Sequence, residues 1–359
     1  MNNSLKQRLN AFIKLGDNIQ TVLHSNDPKN LSESQKTLWK QIKESAIYNP
    51  WFTEENVVAA LQGIAQMLEK EKIEQWISDY PQNYFQPTKP KTVAVIMAGN
   101  IPLVGFHDML CVLISGNILL GKLSGQDNHL PVILTEMLIE IEPDFSDFII
   151  MTSETISGFD AVIATGSNNT SRYFEYYFGK YPHIIRKNRS SIAVLNGNET
   201  NEALALLAHD VFQYFGLGCR NVSKIFVPKD FNISKLAENW QQYEKLNRHS
   251  KYMNNYDYQK AIMLVNKIPH LDTGFALLTE NPSLSSPLSV IHYEYYDNMS
   301  LLQKQIKQLK DQLQCISTTM QNLTQEVPLV EHGKTQIPGP SDYADGVDTL
   351  NFLFSLQGS

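Results

Sequence analysis

The sequence predicts an α/β protein: a mainly parallel, doubly wound sheet, a second α/β domain after it, and a helical region at the N-terminus. Three observations carry this. From residue 92 onward, short apolar runs alternate with helical stretches, the texture of strands buried on both faces under covering helices. The alternation resumes after residue 199 with its own strands and helices. Residues 4 to about 80, by contrast, show only apolar stripes at helical spacing. With 359 residues the chain can hold two domains or one large one with a generous core.

Taken in order, Leu5, Leu9, Phe12 and Ile13 form one stripe, and Leu38, Trp39, Ile42 and Ala46 a second. Val57, Val58, Leu61, Ile64, Ala65 and Leu68 form a third. Thr53 is a candidate cap for it, with Glu54 and Glu55 at its positive end. The Pro-containing stretch Tyr80 to Pro90 reads as a linker. Strand-like runs follow at 92–98, 118–120, 148–151, 161–164, 183–185 and 192–195, with helices at 102–114, 130–142 and 169–178. Pro102 suits the first turn of the helix after the first strand. Next come a helix over 199–215, a strand at 223–228, helices near 232–266, and strands at 274–279 and 289–295. Leu302, Ile306, Leu309 and Leu313 space an amphipathic helix, and 315–320 and 326–331 look like further strands. The tail from Gln336 carries Leu350, Phe352, Leu353 and Phe354, too much apolar surface for a fraying end. It is expected to dock on the body or on a second subunit.

Thirty basic against 37 acidic side chains give a net charge of −7, which argues against a nucleic-acid partner. Cys111, Cys219 and Cys315 are odd in number, widely spaced and free of any CxxC. That disfavours a disulfide framework and a metal site, and it fits a cytoplasmic protein. The first ten residues lack the apolar centre of a signal peptide, and no apolar run approaches a membrane span.

Cys219 is the most informative residue. It sits in Phe215-Gly216-Leu217-Gly218-Cys219-Arg220-Asn221, between a helix and a strand. The two glycines allow a sharp turn, and the arginine's charge favours the thiolate that attacks carbon. Asn100 follows the first strand in Ala98-Gly99-Asn100-Ile101-Pro102, where an amide can donate into a site or satisfy its own turn. That turn lacks GxGxxG, so it is no ordinary Rossmann phosphate loop. Lys122 ends a short buried strand, placed to meet a phosphate or ribose or to snorkel to solvent. Gly166 and Ser167 open a helix, where free N–H groups face an anion or merely cap the helix.

In this order, strand–xNxP–helix, GN-strand-K, strand–TGS–helix and a Gly-flanked cysteine resemble the aldehyde dehydrogenase superfamily. Within it the chain is similar to the acyl-CoA reductases, including the fatty acid reductase of bacterial bioluminescence. The run from Ala208-His209-Asp210 to Gly218-Cys219-Arg220 is the most specific part. The resemblance is good from about 92 to 230 and looser beyond. It implies an aldehyde dehydrogenase-like fold: a helical region 1–90, a Rossmann-like cofactor-binding domain 91–195, a catalytic α/β domain 196–325, and a C-terminal return or oligomerisation segment 326–359. It also implies roles. Cys219 matches the nucleophile that becomes acylated, and Asn100 the amide that shares the oxyanion with the Cys219 N–H. Lys122 matches the lysine on the adenosine ribose, and Gly166 and Ser167 the turn near the pyrophosphate. An acyl-CoA substrate and a homo-oligomer follow from the same likeness.

Three departures refine this. The stretch Ile185 to Ser191 has no acid where hydrolytic relatives carry their water-activating glutamate. Gly125 stands where an acid commonly follows the ribose-binding lysine, which makes NADPH plausible, with NADH possible. The glutamate that holds the nicotinamide ribose has no counterpart in Asn281 to Pro287. The expected reaction is reduction of an acyl thioester, fatty acyl in this branch, to the aldehyde. The alternatives are a superfamily enzyme acting on an acyl phosphate or free aldehyde, and a catalytically idle scaffold subunit. His209 and Asp210 lie on the preceding helix nearly three turns from Cys219, which favours a structural role for them.

Overall fold

The computed structural model describes residues 4–166 and 168–358, and the chain divides into two compact units. The first comprises residues up to Asn188 together with the return from Ile337, and the second runs from Arg189 to Gln336.

The first unit opens with helices α1 (Leu5–Leu23), α2 (Glu33–Tyr48), α3 (Glu54–Met67) and α4 (Lys70–Ser78). Capping boxes at Ser4/Gln7 and Ser32/Gln35 start the first two by satisfying N–H groups that have no helical partner. Thr53 caps α3 by accepting from the Asn56 N–H, with Glu54 and Glu55 in its first turn, as the sequence predicts. The apolar faces of these helices do not form a separate core. Phe12, Leu15, Ile19, Leu38, Leu61, Ile73 and Trp76 join one cluster with Leu110, Leu134 and Leu138 of the helices that cover the sheet. Each such side chain contributes roughly 1.5–3 kcal/mol by leaving water.

That sheet is five parallel strands, β1 (Thr92–Ile96), β2 (Ile118–Lys122), β3 (Ile149–Thr152), β4 (Ala161–Thr165) and β5 (His183–Arg186), in the order β3-β2-β1-β4-β5. Its helices are α5 (Phe106–Ile114), α6 (Leu130–Ile141) and α7 (Asn168–Phe178). The run direction reverses at β1, whose neighbours are β2 and β4, so the carboxyl ends of β1 and β4 form the switch point at which such sheets bind ligands. α5 starts at Phe106 and not at Pro102. Leu103 adopts a left-handed φ of 58° and gives its N–H to Asp127 Oδ2 at 2.7 Å, which breaks the helical path through 103–105.

A final helix, Thr349–Ser355, closes this unit, with Leu350, Leu353 and Phe354 in its core. The tail therefore docks on the chain itself, and those side chains need no second subunit to cover them. Trp76 Nε1 donates to the Tyr343 hydroxyl at 2.8 Å, and Tyr80 donates to Asp348 at 2.9 Å. Arg186 at the end of β5 pairs with Asp108 of α5 and donates to Thr349 Oγ1 at 3.1 Å, all buried.

The second unit is a seven-stranded sheet: β6 (Ser190–Val194), β7 (Val222–Pro228), β8 (Leu271–Asp272), β9 (Leu277–Glu280), β10 (Val290–Tyr296), β11 (Leu313–Ser317) and β12 (Leu329–Val330). The order is β12-β11-β6-β7-β10-β9-β8, and only the β8–β9 pair is antiparallel. Helices α8 (Asn201–Phe212), α9 (Ser234–Asn239), α10 (Ser250–Val265) and α11 (Met299–Leu309) accompany it. The sequence grouped the run 192–195 with the first sheet. Its ladder instead runs to β7 and β11, because a strand belongs where its backbone hydrogen bonds go, and apolar composition does not specify that. Fully buried Lys224 is tied to Glu294 and donates to the Pro282 carbonyl at 2.7 Å, Ser223 Oγ donates to Leu284 O at 2.7 Å, and His292 Nδ1 meets Ser283 O at 3.0 Å. Three consecutive carbonyls of the 281–287 turn are thus fixed from β7 and β10.

Two predictions follow from the buried charges of the first unit. Asp127 is 4% exposed, and burial pushes its carboxyl up to about 7, against the pull of the Leu103 N–H. A carboxyl raised in the folded state stabilises below its unfolded value near 4, and that stability is lost as pH rises through about 7. Urea unfolding of Asp127→Asn should lose about 2–3 kcal/mol of the stability difference between pH 5 and pH 8 shown by the parent; an unchanged difference refutes the shift. Asp108→Ala should cost about 3–5 kcal/mol in the same measurement by stranding the Arg186 charge, and Asp108→Ala/Arg186→Met should recover part of it.

Candidate active site

Cys219 lies in the second unit, in the loop between α8 and β7, and its side chain is exposed. The helix predicted over 199–215 stops at Phe212, since Tyr214, Phe215 and Gly216 take φ values of 53°, 59° and 76°. Three successive left-handed residues reverse the chain. For the tyrosine and phenylalanine this costs on the order of 1–2 kcal/mol each. Packing holds them there: both are buried, and the Phe215 ring sits 4.3 Å from His249 and 5.8 Å from Tyr252.

Polar side chains then fix the turn. Asn221 Oδ1 accepts the Gly218 N–H at 2.8 Å, and its Nδ2 donates to the carbonyls of Asp210 and Gln213 at 3.1 and 2.8 Å. Ser191 Oγ, on β6, donates to the Cys219 carbonyl at 3.0 Å and lies 3.2 Å from the buried Cys315 sulfur. Arg220 Nη1 donates to the Thr335 carbonyl at 3.3 Å. The peptide planes around the nucleophile candidate are therefore set by buried groups, while its thiol faces outward. Asp210 and His209 both turn to partners other than the Cys219 sulfur. Asp210 is buried among four donors, and the His209 ring meets Tyr243 Oη at 2.7 Å. His332 is buried on Ser317 at 2.7 Å, and burial draws its pKa down to about 4.

The other candidates lie in the first unit. Asn100 is exposed in the bend after β1. Lys122 ends β2, and its ammonium donates to the Ser153 carbonyl at 2.6 Å. Gly166 follows β4, and a Cβ there would press to 2.9–3.0 Å against the Phe174 and Thr170 side chains, which would have to shift. Ser167 lies outside the described residues. Asn100, Lys122 and Gly166 thus share the carboxyl edge of one parallel sheet, on adjacent strands around its switch point. Gly125 faces open space, with nothing within 4 Å of an added Cβ, so no carboxylate stands there. A glycine turn on the strand across the switch point, an ammonium two strands away and an open position beside it suit a dinucleotide. Sequence reasoning missed Ser191, Thr335 and Asp127, which have no motif because each acts on a backbone group distant in sequence. No group of three or more potential metal ligands clusters among the described residues, and no helix there is long and apolar enough to cross a membrane.

Residues 24–338 match the family model described as acyl-CoA reductase (LuxC). No curated protein matches the chain. Among solved structures, the chain is similar to a Mycobacterium tuberculosis aldehyde dehydrogenase complexed with NAD+ at 12% identity and a TM-score of 0.61, covering 89% of this chain and 77% of that one. It is similar to an aldehyde dehydrogenase 21 from Physcomitrella patens at 10% identity and a TM-score of 0.61, over 98% and 88% of the two chains. A third is the NADP-dependent glyceraldehyde-3-phosphate dehydrogenase of Bacillus halodurans complexed with NADP, at 11% identity and a TM-score of 0.60, over 91% and 77%. These likenesses establish the fold, and the match over most of the chain establishes that this protein belongs to the acyl-CoA reductase family, oxidoreductases of aldehyde-level chemistry on the aldehyde dehydrogenase fold.

Proposed function

We propose that the protein reduces a fatty acyl-CoA thioester to the aldehyde, using NADPH and an acyl group carried on Cys219. The observation that carries this is an exposed thiol on a strained, backbone-fixed turn, next to Arg220, in a chain of the acyl-CoA reductase family. The Cys219 thiolate attacks the thioester carbonyl, forming a carbon–sulfur bond and an oxyanion. Collapse of the oxyanion expels CoA as its thiolate, which takes up a proton, and leaves the acyl group on Cys219. The reading assigns Asn100 and the Cys219 N–H to the oxyanion. A bound nicotinamide supplies the hydride that reduces the acyl carbon. Cys219 then departs from the hemithioacetal as thiolate, and the aldehyde is released.

For the cofactor, the reading assigns Lys122 to the adenosine ribose and the Gly166–Ser167 turn to the pyrophosphate. Support comes from the crowding that any side chain would meet at Gly166 after β4 and from the open position at Gly125, which leaves a 2′-phosphate unopposed by a carboxylate. Arg186 supports the reductive direction. In the stretch where a hydrolytic enzyme would keep its base, this chain has a buried arginine committed to Asp108.

Purified protein should oxidise NADPH when given a panel of acyl-CoA thioesters, and Cys219→Ala should not. Full activity in Cys219→Ala rules out the covalent route. Asn100→Ala should lower kcat about 10²–10³-fold with little change in KM, since an oxyanion donor acts only as charge develops. Lys122→Met should raise the KM for NADPH while leaving the rate of Cys219 acylation in its absence unchanged; equal loss in both assays removes Lys122 from the cofactor.

A further inference from the structure

The Asp210 carboxylate is buried and accepts four hydrogen bonds, from Ser317 Oγ at 2.6 Å, Gly333 N at 2.8 Å, Thr335 N at 3.0 Å and Thr335 Oγ1 at 2.8 Å. Three of the four come from the segment 333–335, which the carboxylate pins. Buried Thr335 is the residue whose carbonyl receives the Arg220 guanidinium at 3.3 Å. A chain of contacts therefore runs from Asp210 through Thr335 to the side chain next to Cys219. We propose that Asp210 and Thr335 are positioning residues that hold the Arg220 charge beside Cys219 and so keep its thiol in the attacking, thiolate form.

A guanidinium on a long side chain has considerable rotameric freedom, and its field on a neighbouring sulfur falls off with distance. A carbonyl anchored at one place converts a mobile surface charge into a fixed one. A second observation puts that charge in the right neighbourhood. Burial lifts the Cys315 thiol to about 11 and the Arg220 charge pulls the other way, so the guanidinium lies within reach of the sulfur that Ser191 contacts. Ser191 bridges that sulfur to the Cys219 carbonyl. The titratable and charged groups around this neighbourhood include Asp210 from α8, whose carboxyl burial pushes up against its four hydrogen bonds, Cys315 from β11, His332 after β12, His249 against Phe215, and Arg220 itself. Burial keeps His332 down near 4 and Cys315 up near 11, and alkylation is read on the Cys219 peptide itself. The inference rests on Cys219 as the nucleophile but needs neither thioester nor cofactor to be tested.

The test is the pH profile of Cys219 alkylation by iodoacetamide in the full chain, read by peptide mass spectrometry. Cys219→Ala provides the blank, and thermal unfolding is run alongside. Arg220→Gln should raise the apparent thiol pKa and slow alkylation at pH 7 by roughly fivefold to tenfold, the effect of nearly one pKa unit. Asp210→Asn, which replaces two of the four accepting positions with an N–H₂ donor, should shift the profile in the same direction. Combined with Arg220→Gln it should shift it no further. If Asp210→Asn does not fold, Thr335→Ala decides, with a shift of at least about twofold in rate at pH 7 expected. Profiles that stay unchanged while the unfolding temperature falls would show that the contacts are only structural and overturn the proposal; so would additive shifts in the double variant. Failure to reduce any acyl-CoA would count against the proposed reaction and leave this result standing.

Discussion

A single buried cation closes the first unit on itself. Arg186 is the last residue of β5, two residues before the chain leaves for the second unit, and Thr349 comes twelve residues after it returns. Arg186 touches both Asp108 on α5 and Thr349, so exit strand, core helix and return segment meet at one guanidinium. A 148-residue excursion between Arg189 and Gln336 can be accommodated only if the ends of the interrupted unit hold together without it. Packing of Leu350, Leu353 and Phe354 supplies most of the free energy for that, and the ion pair supplies direction. Asp108 Oδ1 and Arg186 Nε keep no partner among the described residues. The joint therefore carries part of its desolvation cost uncompensated, which is why loss of either partner is expected to be expensive.

The second unit applies the same logic to a strained segment. Left-handed Tyr214 and Phe215 are unfavourable by themselves, and their cost is offset by burying two aromatic rings and by an asparagine that caps the carbonyls left open where α8 ends. What the strain achieves is a tight reversal that presents Cys219 outward while the backbone around it is gripped by Ser191 of β6 and by Asn221. A rigid backbone under an exposed nucleophile is the arrangement in which binding and reaction need little reorganisation.

Much of this was legible in the residues. The strands at 92, 118, 149, 161, 183 and 222 announced themselves as apolar runs, because the central strands of a parallel sheet covered on both faces admit little else. The α3 cap at Thr53 was legible because capping is local chemistry. The motif residues were legible because glycine and cysteine carry their own constraints. What escaped was non-local. Nothing near residue 192 states that its ladder partners lie at 222 and 313, nor does Pro102 reveal that Asp127, twenty-five positions on, takes the Leu103 N–H and delays the helix. Likewise Thr335 is held by Asp210, 125 residues away in sequence.

Under the proposed reaction, the same non-local chemistry bears on why the acyl group would be reduced rather than hydrolysed. An acyl group on a cysteine is partitioned between water and hydride, and the protein biases that choice mainly by whether a base is aimed at the water. A positioned general base is typically worth about 10²–10⁴-fold. The stretch 185–191 offers none: its buried charge is Arg186, already committed to a carboxylate, and Ser191 is occupied with the Cys219 carbonyl. An acid introduced at 186 would meet Asp108 as a second buried carboxylate, and the like-charge pair would raise the pKa of at least one of them, leaving it protonated and unable to serve as a base. The buried ion pair that closes the first unit thus also bars a working acid from position 186.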